Sequence, residues 1–131
     1  MVKDFKLESN VNFMGYQSNI TSWLNAWDIF VLPSLQENHS VALLEAMRAG
    51  KAIICTNVGG NPETVTHEKE ALIVPSKDAQ SIENALYRLI NSQELRDTLG
   101  ANAHKRFISS FTEEQTLKNL IKVFKDLKKD L

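Results

Sequence analysis

Short apolar runs alternate with helical patterns along the first half of the chain, and this alternation constrains the fold more than any other feature. The runs are rich in β-forming residues and end near Gly or Pro, as buried parallel strands do. Four strands are predicted, at 11–15, 28–32, 52–56 and 71–75. Strands that alternate with helices predict an α/β fold, with a parallel sheet of about four strands, helices on both faces and right-handed crossovers.

Local signals predict where the helices begin and end. Apolar residues at helical spacing predict one helix within 19–27, and a second begins after Ser40 as N-cap and stops at Gly50. Pro62 predicts the start of a short helix after a glycine turn. Further helices are predicted at 78–92, 92–107 and 112–131. The chain is interpreted as a single domain, 1–131, with an N-terminal extension at 1–10 and an amphipathic C-terminal helix at 112–131.

Composition narrows the functional classes. Of 131 residues, 43% are apolar and 24% are charged, which is typical of a soluble globular domain with its own core. A net charge of -1 gives no basic footprint, so nucleic acid is not expected as a partner. The single cysteine, Cys55, cannot form an internal disulfide, and no Cys/His spacing predicts a metal site. No apolar stretch is long enough to span a membrane, and we expect a cytoplasmic protein.

Two glutamates lie where a parallel sheet would bind a ligand. The predicted strand 28–32 ends at Pro33, so Glu37 lies in the loop at the carboxyl edge of the sheet, and Glu45 lies about one turn into the next helix. The start of that helix, near residues 39–41, offers unpaired N–H groups to a phosphate. An acid beside a phosphate site can accept hydrogen bonds from a ribose diol, so the pattern indicates a nucleotide-linked ligand.

Three consecutive blocks of sequence carry a resemblance to a known family. They are PSLQENHSVALLEAM (33–47), GKAIICTNVGGNPETV (50–65) and ALIVPSKD (71–78). In this order they resemble the C-terminal, nucleotide-sugar-binding domain of a family 4 retaining glycosyltransferase, truncated at its N-terminal side. The most specific part is the E-x7-E motif, Glu37 to Glu45. The resemblance implies a Rossmann-like sheet that forms half of a GT-B-type enzyme.

The resemblance also implies a role for each matching residue. Glu45 would bind the ribose hydroxyls, and Glu37 would be the catalytic residue that contacts the donor sugar and positions it. Backbone amides of His39, Ser40 and Val41 would hold the distal phosphate. The family transfers sugar from a nucleotide donor without an essential metal. No metal and no cofactor are therefore expected beyond a UDP- or GDP-linked donor substrate.

Two parts of the implied donor site depart from the pattern or leave alternatives open. Asn38, His39 and Ser40 stand where many family members have Gly-Phe-Gly, so the phosphate would approach backbone that carries side chains. Gly59 and Gly60 either form only the turn that leaves strand 52–56, or line the donor site as well.

Two function classes follow from the sequence. The first is a glycosyltransferase domain for glycoconjugate or polysaccharide biosynthesis that is inactive alone, because the acceptor would bind a missing N-terminal domain. The second is a non-catalytic nucleotide-sugar-binding or interaction module, the remnant of such an enzyme. An in-frame N-terminal domain encoded upstream of Met1 would favour the first.

Other partners are predicted from surfaces. The acceptor would be a glycan or a lipid-linked glycan, and a bare sheet edge favours a homodimer or poor solubility. The apolar stripe of the last helix could pack on its own domain, dock the missing domain, or lie on an anionic membrane at its inner face. This stripe comprises Leu117, Leu120, Ile121, Phe124 and Leu127, and the basic positions are Lys118, Lys122, Lys125, Lys128 and Lys129.

Overall fold

A computed structural model describes residues 1–128 and contains a small parallel sheet flanked by helices. The strands are β1 (Ile29–Leu32), β2 (Ala52–Thr56) and β3 (Leu72–Val74). The helices are α1 (Ile20–Ala26), α2 (Val41–Arg48), α3 (Asn61–Thr64), α4 (Ala79–Asn91), α5 (Gln93–Ser110) and α6 (Glu113–Leu127).

The strands are all parallel and lie in the order β1-β2-β3. Val31 lies opposite Ile54, and Cys55 lies opposite Ile73, so β2 is paired on both sides. Helix α2 connects β1 to β2, and α3 connects β2 to β3. The predicted α/β fold is therefore confirmed, and the carboxyl ends of all three strands meet at one edge.

Two apolar cores cover the two faces of the sheet. Alternate residues of β2 point to opposite faces, so Ile53 lies in one core and Ile54 in the other, and both are fully buried. The first core receives Leu43 and Met47 from α2, and the second receives Leu89 from α4. Helix α5 contributes to both cores, with Ala103 in the first and Leu99 in the second.

The predicted strand at 11–15 is wrong. Residues 11–17 form no regular structure, and Phe13 and Tyr16 are 83% and 93% exposed. A strand is stabilised by hydrogen bonds to a neighbour, and within residues 1–128 β1 pairs only with β2. Without a neighbouring strand or a covering helix, this apolar run has nothing to pack against. The preceding residues 1–10 consist mostly of turns.

The apolar stripe of α6 is largely exposed within the described chain. No residue of this helix is buried, and Phe124 is 63% exposed. Since α5 already fills both cores, the sheet offers α6 no uncovered apolar face. The predicted helix 112–131 is present as Glu113–Leu127, with Thr112 as N-cap, and Lys129 and the residues after it lie outside the described chain. None of the helices between residues 1 and 128 has both the length and the apolar character of a membrane span.

Candidate functional site

The loop between β1 and α2 carries Glu37 at the carboxyl edge of the sheet. Residues 33–40 connect the two elements, and Glu37 is half-buried within them. The hydroxyl of Ser34 donates a hydrogen bond to Oε2 of Glu37 over 3.3 Å. This bond restricts the carboxylate while leaving its other oxygen able to accept from a ligand.

The end of β2 and the turn after it support this loop from the sheet side. The Thr56 hydroxyl donates to the carbonyl of Ser34 over 2.7 Å, and the N–H of Gly60 donates to the carbonyl of Asn38 over 2.9 Å. A Cβ on Gly59 would lie 1.4 Å from the carbonyl oxygen of Glu37. Both glycines therefore contact the backbone of the Glu37 loop. The sequence had indicated a turn or a lining of the donor site, and not this contact.

The start of α2 has the features of an anion site. The Ser40 hydroxyl accepts a hydrogen bond from the Leu43 N–H over 3.2 Å and caps the helix, as the sequence predicted. The N–H groups of Val41 and Ala42 then have no acceptor within the helix. No acidic side chain lies in the first turn, so the positive end of the helix dipole is not neutralised locally.

Glu45 lies on the side of α2 that faces away from the sheet. Its neighbours Leu43 and Met47 are fully buried, whereas Glu45 is half-buried and shares a helix face with Val41, which is 68% exposed. Glu45 and the amide groups at the helix start therefore lie along the same element, one turn apart. This spacing suits a ligand that carries a diol next to a phosphate.

His39 and Asn38 occupy the outer part of the loop. Both are exposed, and the His39 ring lies 6.1 Å from the ring of Phe111, measured between centroids. Phe111 is the C-cap of α5 and was not singled out from the sequence. An aromatic residue that ends a distant helix gives no local signal of this contact.

A groove of about 370 Å³ opens at the carboxyl end of β3, beside the turn that follows β2. Asn57, Pro62 and Pro75 line it, together with His67. The Nδ1 atom of His67 accepts a hydrogen bond from the Ile73 N–H over 2.9 Å. Sequence reasoning did not find this groove, because its lining comes from two connections that only the folded sheet brings together.

Two other features of the described chain bear on its chemistry. No group of three or more His, Cys, Asp or Glu side chains between residues 1 and 128 could hold a metal ion together. Cys55 is fully enclosed in β2, and its burial raises the pKa of the thiol to about 12. The protonated thiol is a poor nucleophile, and Cys55 packs as a small apolar residue.

The structure thus brings most of the predicted site residues together. The Glu37 loop, the turn after β2 and the start of α2 meet at one edge, and Glu45 lies one turn further along α2. The residues concerned are Glu37, Asn38, His39, Ser40, Val41, Glu45, Gly59 and Gly60.

Comparison with known proteins finds relatives that match most of this chain. A family model described as glycosyl transferases group 1 matches residues 1–106. The UDP-Gal:alpha-D-GlcNAc-diphosphoundecaprenol alpha-1,3-galactosyltransferase of Escherichia coli is 32% identical over 108 residues, 82% of this chain and 28% of the relative. The chain spans about a third of the length of the curated relatives that it matches.

Solved structures show the same fold. A sucrose-phosphate synthase from Thermosynechococcus elongatus is 28% identical, with a TM-score of 0.89 over 99% of this chain and 33% of that one. The C-terminal domain of a glycosyl transferase group 1 family protein, LpcC, from Francisella tularensis is 29% identical. Its TM-score is 0.76, over 86% of this chain and 59% of that domain.

Proposed function

The chain belongs to the glycosyl transferases group 1 family, and from this membership we propose that it binds the nucleotide-sugar donor of a retaining, metal-independent glycosyl transfer. The observation that carries the proposal is that Glu37 and the start of α2 lie together at the carboxyl edge of the sheet, with Glu45 one turn further along α2. The donor is a UDP- or GDP-linked hexose. The relative from Escherichia coli is named for UDP-Gal as its donor.

Each part of the donor meets a different group. The Glu45 carboxylate accepts from the ribose hydroxyls, and the N–H groups at the start of α2, with the backbone of His39, hold the distal phosphate. Glu37 accepts from hydroxyls of the sugar and positions it for transfer. Asn38 flanks the phosphate in the outer loop. Ser40 acts through its cap, because its hydroxyl is already bonded to the Leu43 N–H.

The helix start also explains how transfer can proceed without a cation. Breaking the bond between sugar and phosphate leaves negative charge on the departing diphosphate. Oriented N–H donors and the dipole of α2 stabilise that charge without rearranging, which is a large contribution in catalysis. The first turn of α2 lacks an acidic side chain that would oppose this effect.

The acceptor is proposed to bind outside the described residues. A glycan or lipid-linked glycan is the class that we propose, and the relative from Escherichia coli is named for a diphosphoundecaprenol-linked acceptor. The reaction would then serve polysaccharide or glycoconjugate assembly, in the cytoplasm at the inner face of the membrane. An N-terminal acceptor-binding domain is needed for transfer in this proposal, so the isolated chain binds donor without transferring sugar.

The test is an NMR titration of the chain with UDP, GDP, UDP-galactose and UDP-glucose. We expect saturable shifts at residues 37–45 with one of the two bases. Glu45→Gln keeps the size of the side chain and removes its charge, and should weaken nucleotide binding about tenfold, since hydrogen bonds to charged groups contribute roughly 1.5–3 kcal/mol. Glu37→Gln should weaken binding of the nucleotide-sugar and leave the affinity for the nucleoside diphosphate unchanged.

Glu83→Gln is the matched control, because Glu83 is an acid on α4 outside the candidate site. This variant should bind every ligand as the wild type does. If no nucleotide or nucleotide-sugar shifts any amide of the folded wild-type protein, the chain is not a donor-binding domain. A ligand-independent interaction module would then be the better interpretation.

A further inference from the structure

The segment Thr56–Gly60, which ends β2 and begins the connection to α3, is the support on which the Glu37 loop lies. We propose that Thr56, Gly59 and Gly60 are positioning residues that fix where Glu37 and the phosphate-binding start of α2 stand relative to the ribose site. They would act through the loop backbone without touching the donor. The inference rests on the donor-binding function proposed above.

Gly60 supports the loop through both a hydrogen bond and a close backbone approach. Its N–H donates to the Asn38 carbonyl over 2.9 Å, and a Cβ at this position would lie 2.2 Å from the same oxygen and 3.5 Å from Nδ1 of His39. Heavy atoms do not approach to 2.2 Å, so any side chain at Gly60 must push the loop outward. Gly60 is buried, which leaves the loop as the part able to move.

Gly59 makes the same contact one residue earlier. Its φ of +50° is a left-handed conformation that residues with side chains rarely adopt. A Cβ there would overlap the Glu37 carbonyl. Two consecutive glycines therefore lie beneath two consecutive loop residues, Glu37 and Asn38. This repeated close approach explains the glycine pair better than the turn alone would.

Thr56 adds a polar connection from β2 to the catalytic candidate. It is 2% exposed, and its hydroxyl donates to the Ser34 carbonyl over 2.7 Å. The Ser34 hydroxyl in turn donates to the Glu37 carboxylate over 3.3 Å. Thr56 thus holds the start of the loop, and the glycines hold its middle.

The position of the Glu37 loop should affect binding of some parts of the donor and not of others. Glu37 and the first N–H groups of α2 move with the loop, and they would contact the sugar and the distal phosphate. Glu45 lies one turn into α2, where the buried Leu43 and Met47 fix the helix to the core. Displacing the loop should therefore weaken binding of the sugar and distal phosphate while leaving ribose binding intact.

Gly60→Ala tests this inference, with Gly100→Ala as a matched control. A Cβ on Gly100 would lie 2.2 Å from the carbonyl oxygen of Gly50, so both substitutions create the same overlap with a backbone oxygen. Gly100 lies in α5 and meets the chain just before β2, at the edge of the sheet opposite the site. Only Gly60→Ala should displace the Glu37 loop.

Two measurements are made on each variant of the full chain. Without ligand, amide hydrogen exchange should rise at residues 34–40 in Gly60→Ala and stay at the wild-type level there in Gly100→Ala. With ligand, Gly60→Ala should weaken UDP-galactose by about tenfold or more, since small misplacements of a site can cost up to about a hundredfold. Its affinity for UMP, which lacks the distal phosphate and the sugar, should stay within about twofold of wild type.

Thr56→Val is a second test of the same proposal, for use if Gly60→Ala does not fold. Valine keeps the buried shape of Thr56 and removes the hydroxyl, so the same pattern is expected with a smaller change. Thr56→Ser restores the hydroxyl and should restore UDP-galactose binding. Equal losses for UMP and UDP-galactose, or unchanged exchange at residues 34–40, would overturn the positioning role. Failure of the wild type to bind these ligands, GDP or a GDP-sugar would count against the donor-binding function, and the exchange measurement would still test the support.

Discussion

At the scale of single residues, the two glutamates of the site are held by different means. Glu45 is fixed by its helix, because Leu43 and Met47 on the same helix are fully buried. Glu37 lies in a loop, where its carboxylate accepts a hydrogen bond from Ser34 of the same loop, and the Ser34 carbonyl accepts one from Thr56 of β2. The position of Glu37 should therefore be the more sensitive of the two to substitutions at β2.

Cys55 provides a prediction about the thiol. Burial raises its pKa from an ordinary value of 9.0 to about 12, so iodoacetamide at pH 8 should alkylate the native protein far more slowly than the urea-unfolded chain. The sign of the pH dependence follows from the same shift. Between pH 9.0 and 12 the unfolded thiol loses its proton and the folded one keeps it. The contribution of Cys55 to stability is therefore complete below pH 9.0 and falls as pH rises.

The measurement is urea unfolding across this pH range, with Cys55→Val as the control. Valine has no titrating group and a similar volume, so the difference in stability between wild type and variant should change with pH only above the ordinary thiol pKa. Rapid alkylation of the folded protein would show that β2 opens readily, contrary to its complete burial.

At the scale of elements, the helix caps were the features most readily predicted from the sequence. The pairing of strands in the sheet was the least predictable. Helix α2 begins after Ser40 and ends just before Gly50, as expected, and Gly50 has a φ of +64°. These ends were predictable because the residues that signal a cap lie within a few positions of the helix end. The strand predicted at 11–15 failed because a strand needs a neighbour, and composition does not reveal whether one is present. The hydrogen bond from the Gly60 N–H to the Asn38 carbonyl was equally hard to predict, since it joins two connections that only the folded sheet brings together.

Two serine caps with the same hydrogen bond allow the effect of the α2 start on binding to be separated from its effect on stability. Ser40 caps α2 and Ser92 caps α5, each accepting from a backbone N–H over 3.2 Å. Replacing either serine by alanine should lower the free energy of unfolding by about 1 kcal/mol, within a range of roughly 0.5–2 kcal/mol. Only Ser40→Ala should also weaken UDP binding, because only α2 begins at the candidate phosphate site.

Urea unfolding and an NMR titration with UDP on the two variants provide the test. Ser92→Ala serves as the control for lost helix stability, since α5 begins away from the Glu37 loop. If both variants bind UDP equally well, the phosphate does not lie at the start of α2.

At the scale of the whole molecule, two surfaces could drive association between copies of the chain. The outer edge of β1 is unpaired within residues 1–128, but this strand is only four residues long, and short edge strands offer few hydrogen bonds to a partner. Helix α6 exposes a longer apolar stripe, with Leu120 and Phe124 at 50% and 63% exposure. Contiguous exposed apolar surface of this kind commonly marks an interaction site. We therefore expect α6, more than the sheet edge, to determine self-association.

The prediction is that the wild-type chain associates with rising concentration and that the double variant Leu120→Lys, Phe124→Lys remains monomeric. Because α6 buries no residue, the free energy of unfolding of the double variant should stay within about 0.5 kcal/mol of wild type. Sedimentation velocity over a concentration series measures the first effect, and urea unfolding at low concentration measures the second. Tyr87→Lys, Ile90→Lys on α4 is the matched control, since these side chains are 70% and 64% exposed. Persistent dimers in the α6 variant would show that another surface, such as an unpaired sheet edge, drives association. A monomeric wild type at high concentration would show that neither α6 nor the sheet edge does.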